Sequence, residues 1–126
     1  MIIGGLYFAE KNGMISKSSF SFSSLLKSYQ KVKIGHIFRN RQGFDQKSVS
    51  VNGYILNYKE KVSRRGNRYT VFQLYSNTGS ITVHYRGHLG LSNNSRVCVK
   101  GDFIKEKRLR DLRFYNQLEA DSAKRI

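Results

Sequence analysis

Ser48-Val49-Ser50-Val51-Asn52-Gly53-Tyr54-Ile55-Leu56 is the stretch on which the fold turns. Val49, Val51, Gly53 and Ile55 alternate with Ser50, Asn52, Tyr54 and Leu56. A period of two predicts a strand with one buried face. Gly53 in its middle predicts a bulge or sharp bend, as a small closed sheet needs at its corners.

The same period recurs downstream. A polar loop is expected over Lys59–Asn67, ending in the turn residues Arg64-Arg65-Gly66-Asn67. A second strand, Arg68–Tyr75, turns Thr70, Phe72 and Leu74 one way and Tyr69, Val71, Gln73 and Tyr75 the other. Ser76-Asn77-Thr78-Gly79 is a tight-turn sequence. A third strand, Ser80–Arg86, places Ile81, Val83 and Tyr85 inside and Thr82, His84 and Arg86 outside. Gly87–Ser95 is a connection with room for one helical turn. A fourth strand, Arg96–Lys105, alternates Val97, Val99, Gly101 and Phe103; a charged turn over Lys105–Asp111 leads to a fifth, Leu112–Ala120. Phe72, Phe103 and Phe114 are expected in the core.

Upstream, Ile34, Ile37 and Phe38 recur at helical spacing within Lys33–Asn40, and Gly43 turns the chain. Leu25–Tyr29 is a second short helical candidate. Ser16–Ser24 holds six serines around Phe20 and Phe22 and reads as an irregular arm.

Five short strands, a hairpin from second to third, a crossing connection from third to fourth and glycines at strand centres predict an all-β fold. The best match is a five-stranded OB-fold barrel with a short N-terminal helical and irregular extension; an SH3-like barrel is the structural competitor. The 126 residues suffice for one domain. Its expected parts are an arm over residues 1–32, the barrel with its lead-in helix over 33–121, and a frayed tail over 122–126.

Charge narrows the function. Lys plus Arg number 23 against 8 Asp plus Glu, a net charge of +15. Self-repulsion of that size opposes compactness, so a polyanionic partner is expected. Nucleic acid leads; an anionic membrane surface or an acidic protein would also satisfy the charge. The apolar stretch Ile2–Ala9 is too short to span a bilayer and lacks a basic lead, so neither a membrane anchor nor a classical signal peptide is expected. The single cysteine, Cys98, excludes an intramolecular disulfide and a multi-cysteine metal site, and suits a reducing cytoplasm.

Several runs resemble the OB-fold nucleic-acid-binding family, which includes anticodon-binding domains of tRNA synthetases and the OB domain of bacterial polymerase alpha subunits. They are Val49-Ser50-Val51-Asn52-Gly53-Tyr54-Ile55, Lys61–Tyr69, Phe72-Gln73-Leu74, Thr78–Val83 and Val97-Cys98-Val99-Lys100-Gly101. Ile34–Asp45 is similar to the lead-in of some stand-alone OB domains. The turn after Leu74 departs from the pattern, being neutral where an acidic residue is frequent. The resemblance spans roughly Ile34 to Asp121 and implies nucleic-acid binding without a particular biological role.

On such a barrel two basic loops would flank the face of the second and third strands. The first carries Lys59, Lys61, Arg64, Arg65 and Arg68; the second carries Lys105, Lys107, Arg108 and Arg110. Between them Tyr69, Tyr75, His84 and Arg86 point outward, with Tyr54 and Tyr58 expected on the non-core side of the first strand. Aromatic faces plus backbone charge are what holds an unpaired strand.

No catalytic constellation appears. The acids are scattered, His84 and His88 lack a third ligand, and there is no phosphate-binding glycine loop. Neither a catalytic centre, a metal nor a cofactor is expected. The expected function is largely sequence-independent binding of single-stranded nucleic acid, DNA before RNA. A tRNA- or ribosome-associated RNA binder and an assembly subunit of a nucleoprotein complex are the alternatives. In the last, Phe20 and Phe22 would anchor the arm on a neighbouring copy.

Overall fold

The computed structural model describes residues 27–126. The arm with Phe20 and Phe22, and Leu25 and Leu26, lie outside the described residues. Two short helices, α1 (Ile34–Arg39) and α2 (Arg41–Phe44), follow a two-residue strand β1 (Gln30–Lys31). Five long strands complete the chain: β2 (Ser48–Val62), β3 (Arg68–Ser76), β4 (Gly79–Arg86), β5 (Arg96–Leu109) and β6 (Leu112–Arg125). These are the five strands expected from the alternation, each in its place along the chain.

The sheet runs β1-β2-β3-β4-β6-β5, and β2 also pairs with β5, which closes β2 to β6 into a ring. Closure works because β2 serves two partners in succession. Ser48–Tyr54 pair with β5, and Tyr54–Val62 pair with β3. Gly53 sits at the changeover. A Cβ there would stand 2.7 Å from the Tyr75 carbonyl oxygen and 2.9 Å from Leu74 Cγ, so only glycine lets β3 approach this closely. The expected bend at Gly53 is therefore a close approach of two strands. The register shift in β2 lies further on, between Leu56 and Lys59.

The inward residues are those that the alternation selects. Val49, Val51, Ile55, Phe72, Leu74, Val83, Val97, Val99, Phe103 and Leu118 are all at most 1 % exposed. Each contributes about 1.5–3 kcal/mol by leaving water. Phe114 and Tyr85, expected inside, are only half-buried. Thr70, the buried polar residue, donates its hydroxyl to the Gly87 carbonyl (2.6 Å). One end of the barrel is plugged by Ile34 and Ile37 of α1, while Phe38 lies largely outside. The Gly35 N–H donates to Thr78 Oγ1 (3.2 Å), which fastens α1 to the β3–β4 turn. At the other end Leu89 and Leu91 pack against the core from the β4–β5 connection, which forms no helical turn.

Three boundaries differ from expectation. β2 runs on to Val62, so the loop expected over Lys59–Asn67 shrinks to a turn. β5 and β6 continue through the segment expected as a charged turn and form a two-stranded ribbon, with Glu106 opposite Tyr115 and Leu109 opposite Leu112. The tail expected to fray is paired instead: Lys100, Val99, Cys98 and Val97 face Ser122, Ala123, Lys124 and Arg125. Ala123 is the anchor, buried where β5 and β6 close on the barrel.

Candidate nucleic-acid interface

The outer face of β2, β3 and β4 is built by strand register. Directly opposed residues on neighbouring strands share a face, about 5 Å apart. Lys61 faces Tyr69, and Tyr69 faces Arg86, giving a row in which a ring lies between two cations. Next along come Lys59, Val71 and His84, then Leu56, Gln73 and Thr82. Tyr75 faces Tyr54, whose other neighbour is Arg96 on β5. This second row repeats the first, with rings beside a cation. Tyr69 to Tyr75 is six residues of strand, roughly 20 Å.

The rings are already arranged for stacking. Tyr69 and His84 lie with centroids 5.4 Å apart and planes at 21°. Tyr54 and Tyr75 lie 5.7 Å apart at 37°. Tyr54 is 42 % exposed and Leu56 38 %, so apolar surface is offered between the two rows. Gln73 Nε2 donates to Thr82 Oγ1 (2.8 Å), and Ser80 donates to Gln73 Oε1 (3.3 Å), which holds the middle of the face flat.

Tyr58 does not join this face. Asn57 adopts a left-handed conformation (φ 54°), and Asn57 and Tyr58 together oppose a single residue of β3. The extra residue turns Tyr58 inward, where it stacks on Phe72 at 6.0 Å. Its hydroxyl donates to Glu60 Oε2 (2.6 Å). Burial, followed by that carboxylate, raises the Tyr58 pKa. Glu60 also accepts from the Gly90 N–H (2.9 Å). The Tyr58 and Gly90 hydrogen bonds hold its carboxyl below the ordinary value. The one acid among the cations of residues 59–68 is thereby turned away from them.

The cations divide in the same way. Lys59, Lys61 and Arg86 stand on the outer face, and Arg64 and Arg65 occupy the exposed turn at its edge. Arg68 falls on the Thr70 side of β3, at the mouth of the barrel. From the ribbon, Lys107 Nζ reaches Glu119 Oε2 (3.0 Å), and Glu119 lies opposite His84 in the β4–β6 pairing. This bond brings the ribbon beside the Tyr69–His84 stack. Burial pushes the His84 pKa down; Glu119 opposes the shift, while Lys107 and Arg86 add to it. Lys105 shares the ribbon face of Lys107 by the two-residue period. Arg108 is on the reverse face, where Glu106 pairs with it (3.7 Å) and with Arg113 (3.9 Å). Arg110 forms the ribbon turn with φ 58°.

Asp45, Asp102 and Asp121 are also engaged locally. Asp45 accepts the Lys105 N–H (2.9 Å). Asp102 accepts the Ser48 hydroxyl (2.9 Å), and Lys27 bridges Asp102 (3.0 Å) and Asp121 (2.9 Å). Tyr29 donates to Asp121 (2.5 Å), and burial together with this bond pushes its pKa up to about 12. The basic excess thus stays on the surface. Among the described residues, no group of three or more His, Cys, Asp or Glu converges in a way that could hold a metal ion.

Solved structures share this architecture. A chain of the crystal structure of yeast Stn1 and Ten1 superposes with a TM-score of 0.61 at 8% identity; the match covers 80% of this chain and 64% of that one, just under two thirds of its length. The second OB-fold domain of replication protein A from Methanococcus maripaludis gives 0.54 at 16% identity, covering 77% and 95%. The barrel is an OB-fold. A Leishmania major chain assigned as an aspartyl-tRNA synthetase gives 0.57 at 13% identity, covering 77% of this chain and 20% of that one. No protein-family model and no curated protein sequence matches this OB chain.

Sequence reasoning missed one member of the interface, Arg96, although its alternation with Val97 places it outside. Lys107 is among the cations expected beside the face, but it stands on a paired strand and not in a turn.

Proposed function

We propose that this OB barrel binds single-stranded nucleic acid, DNA in preference to RNA and with little sequence preference, along the outer face of β2, β3 and β4. The observation that carries the reading is the Lys61–Tyr69–Arg86 row with His84 stacked on Tyr69. A ring between two cations matches the repeat of an unpaired strand, in which bases alternate with phosphates. Such stacking is worth about 1–3 kcal/mol per base and tolerates any base. The neutral polar middle, Gln73 with Thr82, offers no charge that would select one base. The net charge of +15 supplies the attraction to the phosphates.

Fluorescence anisotropy with labelled single-stranded DNA, single-stranded RNA and duplex DNA at two salt concentrations tests this. Single strands should bind tighter than duplex, with affinity falling steeply as salt rises. Equal binding of duplex and single strand would remove the stacking role. A second reading, an assembly subunit, draws on the ribbon tip, where Leu109 (56 %), Leu112 (60 %) and Tyr115 (54 %) are exposed together. Light scattering on the full chain, with and without oligonucleotide, separates the two.

A further inference from the structure

A cavity of about 500 Å³ opens beyond the Tyr54–Tyr75 end of the outer face. Lys31 and Lys33 of the lead-in, His36 of α1 and Arg96 of β5 surround it, and Asn52 and Asn77 supply amides to its wall. No carboxylate lines it. Among the described residues, Lys31, Lys33 and Arg96 have no ion-pair partner. Gathering like charges around one cavity opposes folding unless an anion relieves it.

The cavity is held by the fold. Gln30 and Lys31 pair with Val49 and Ser50, and the Val32 N–H donates to the Ser50 carbonyl (3.1 Å), which sets the lead-in beside β2. Ser76 and Thr78 share a hydroxyl contact (3.0 Å), and Thr78 holds Gly35, so the opposite wall is tied to the lead-in as well. The cavity is also continuous with the stacking face. Arg96 opposes Tyr54, Tyr54 opposes Tyr75, and Asn52 lies two residues before Tyr54 on the same side of β2.

We propose that this cavity takes a phosphate-bearing nucleotide from a strand that has crossed Tyr69 and Tyr75, with Lys31, Lys33 and Arg96 on its phosphate. The lead-in segment is then part of the nucleic-acid site. The volume exceeds what a bare phosphate needs and falls within the range of small-ligand pockets, so a sugar fits with the phosphate. The phosphate is either an internal one of a strand that runs on or a terminal one. The inference rests on the reading of the outer face as a nucleic-acid surface.

The test uses the full chain, 3′-labelled single-stranded DNA of about 5 and about 12 nucleotides, and each oligonucleotide with and without a 5′-phosphate. The variant Lys31→Gln/Lys33→Gln should bind the short probe within about twofold of wild type. It should bind the long probe at least tenfold more weakly, with the salt slope reduced by about 0.7, the share of one phosphate. Lys31→Arg/Lys33→Arg should keep wild-type affinity for both, since charge and not packing is at issue. A 5′-phosphate that strengthens binding in wild type but not in the Lys31→Gln/Lys33→Gln variant identifies a terminal phosphate; no effect of the 5′-phosphate identifies an internal one. Equal weakening of both lengths, or none, in a wild type that binds DNA overturns the cavity proposal alone. A wild type that binds neither probe overturns the functional reading and this inference together.

Discussion

Removing the two cations that flank Tyr69 separates charge from stacking. Lys61 and Arg86 face Tyr69 from either side, so a strand stacked there would set one phosphate against each. On a single strand each neutralised phosphate contributes about −0.7 to the slope of log K against log salt. Lys61→Gln/Arg86→Gln should therefore flatten the slope by about 1.4. Between roughly 50 and 200 mM salt, a fourfold rise, the double variant then loses about sevenfold less affinity than wild type does. Tyr69→Leu is the complement. It keeps half-buried apolar bulk beside His84 but removes a stacking face worth about 1–3 kcal/mol, or about five- to 150-fold in affinity. Its slope should stay at the wild-type value. The assay is anisotropy across a salt series for all three proteins, with thermal melts to verify folding. A slope unmoved by the double variant, or flattened equally by Tyr69→Leu, would refute the assignment of charge and ring to separate roles.

Three further outcomes are expected. Glu119→Gln removes a carboxylate from beside His84 and releases Lys107, so single-strand affinity should rise about two- to fivefold by anisotropy, the scale of a partly exposed ion pair. Gly53→Ala drives a methyl against the Tyr75 carbonyl and should cost about 1–3 kcal/mol in urea unfolding, as a lower midpoint with an unchanged m-value. His84, held below its ordinary pKa, is neutral near pH 7; a phosphate beside it favours the protonated ring. Binding then takes up a proton, and affinity should rise as pH falls from about 8 to 5.5, a rise that His84→Gln flattens. Folding stability moves oppositely. The unfolded chain protonates at about 6.5, before the folded one, so the melting temperature should fall below that pH.

The barrel was legible because its inner faces are apolar and its outer faces polar, so a period of two stands out from Val49 to Leu118. The strand extensions were not. Lys59–Val62 and Lys105–Leu109 are solvated on much of both sides, so their alternation carries no contrast, and only pairing with β3 and β6 keeps them extended. Tyr58 was misassigned because the left-handed turn at Asn57 inverts the alternation, and an isolated asparagine inside a strand is a weak sign of that. The tail was read as loose because Ala123 is a small anchor among polar residues. Tyr69, His84 and Arg86 could be put on one face from their spacing alone. The cavity cations could not be grouped, since Lys31 and Arg96 are brought together only because β1 and β5 both pair with the first half of β2.

The excess of cations over carboxylates has a consequence for loading density. Each nucleotide brings one negative charge, so on the order of fifteen nucleotides balance one molecule of charge +15. One OB barrel occupies as few as about 4 nucleotides. Molecules seated shoulder to shoulder would overcompensate the strand and push one another apart. Spacing at low ionic strength is then governed by mutual repulsion and not by footprint. Added salt, which loosens each molecule's grip, lets neighbours sit closer.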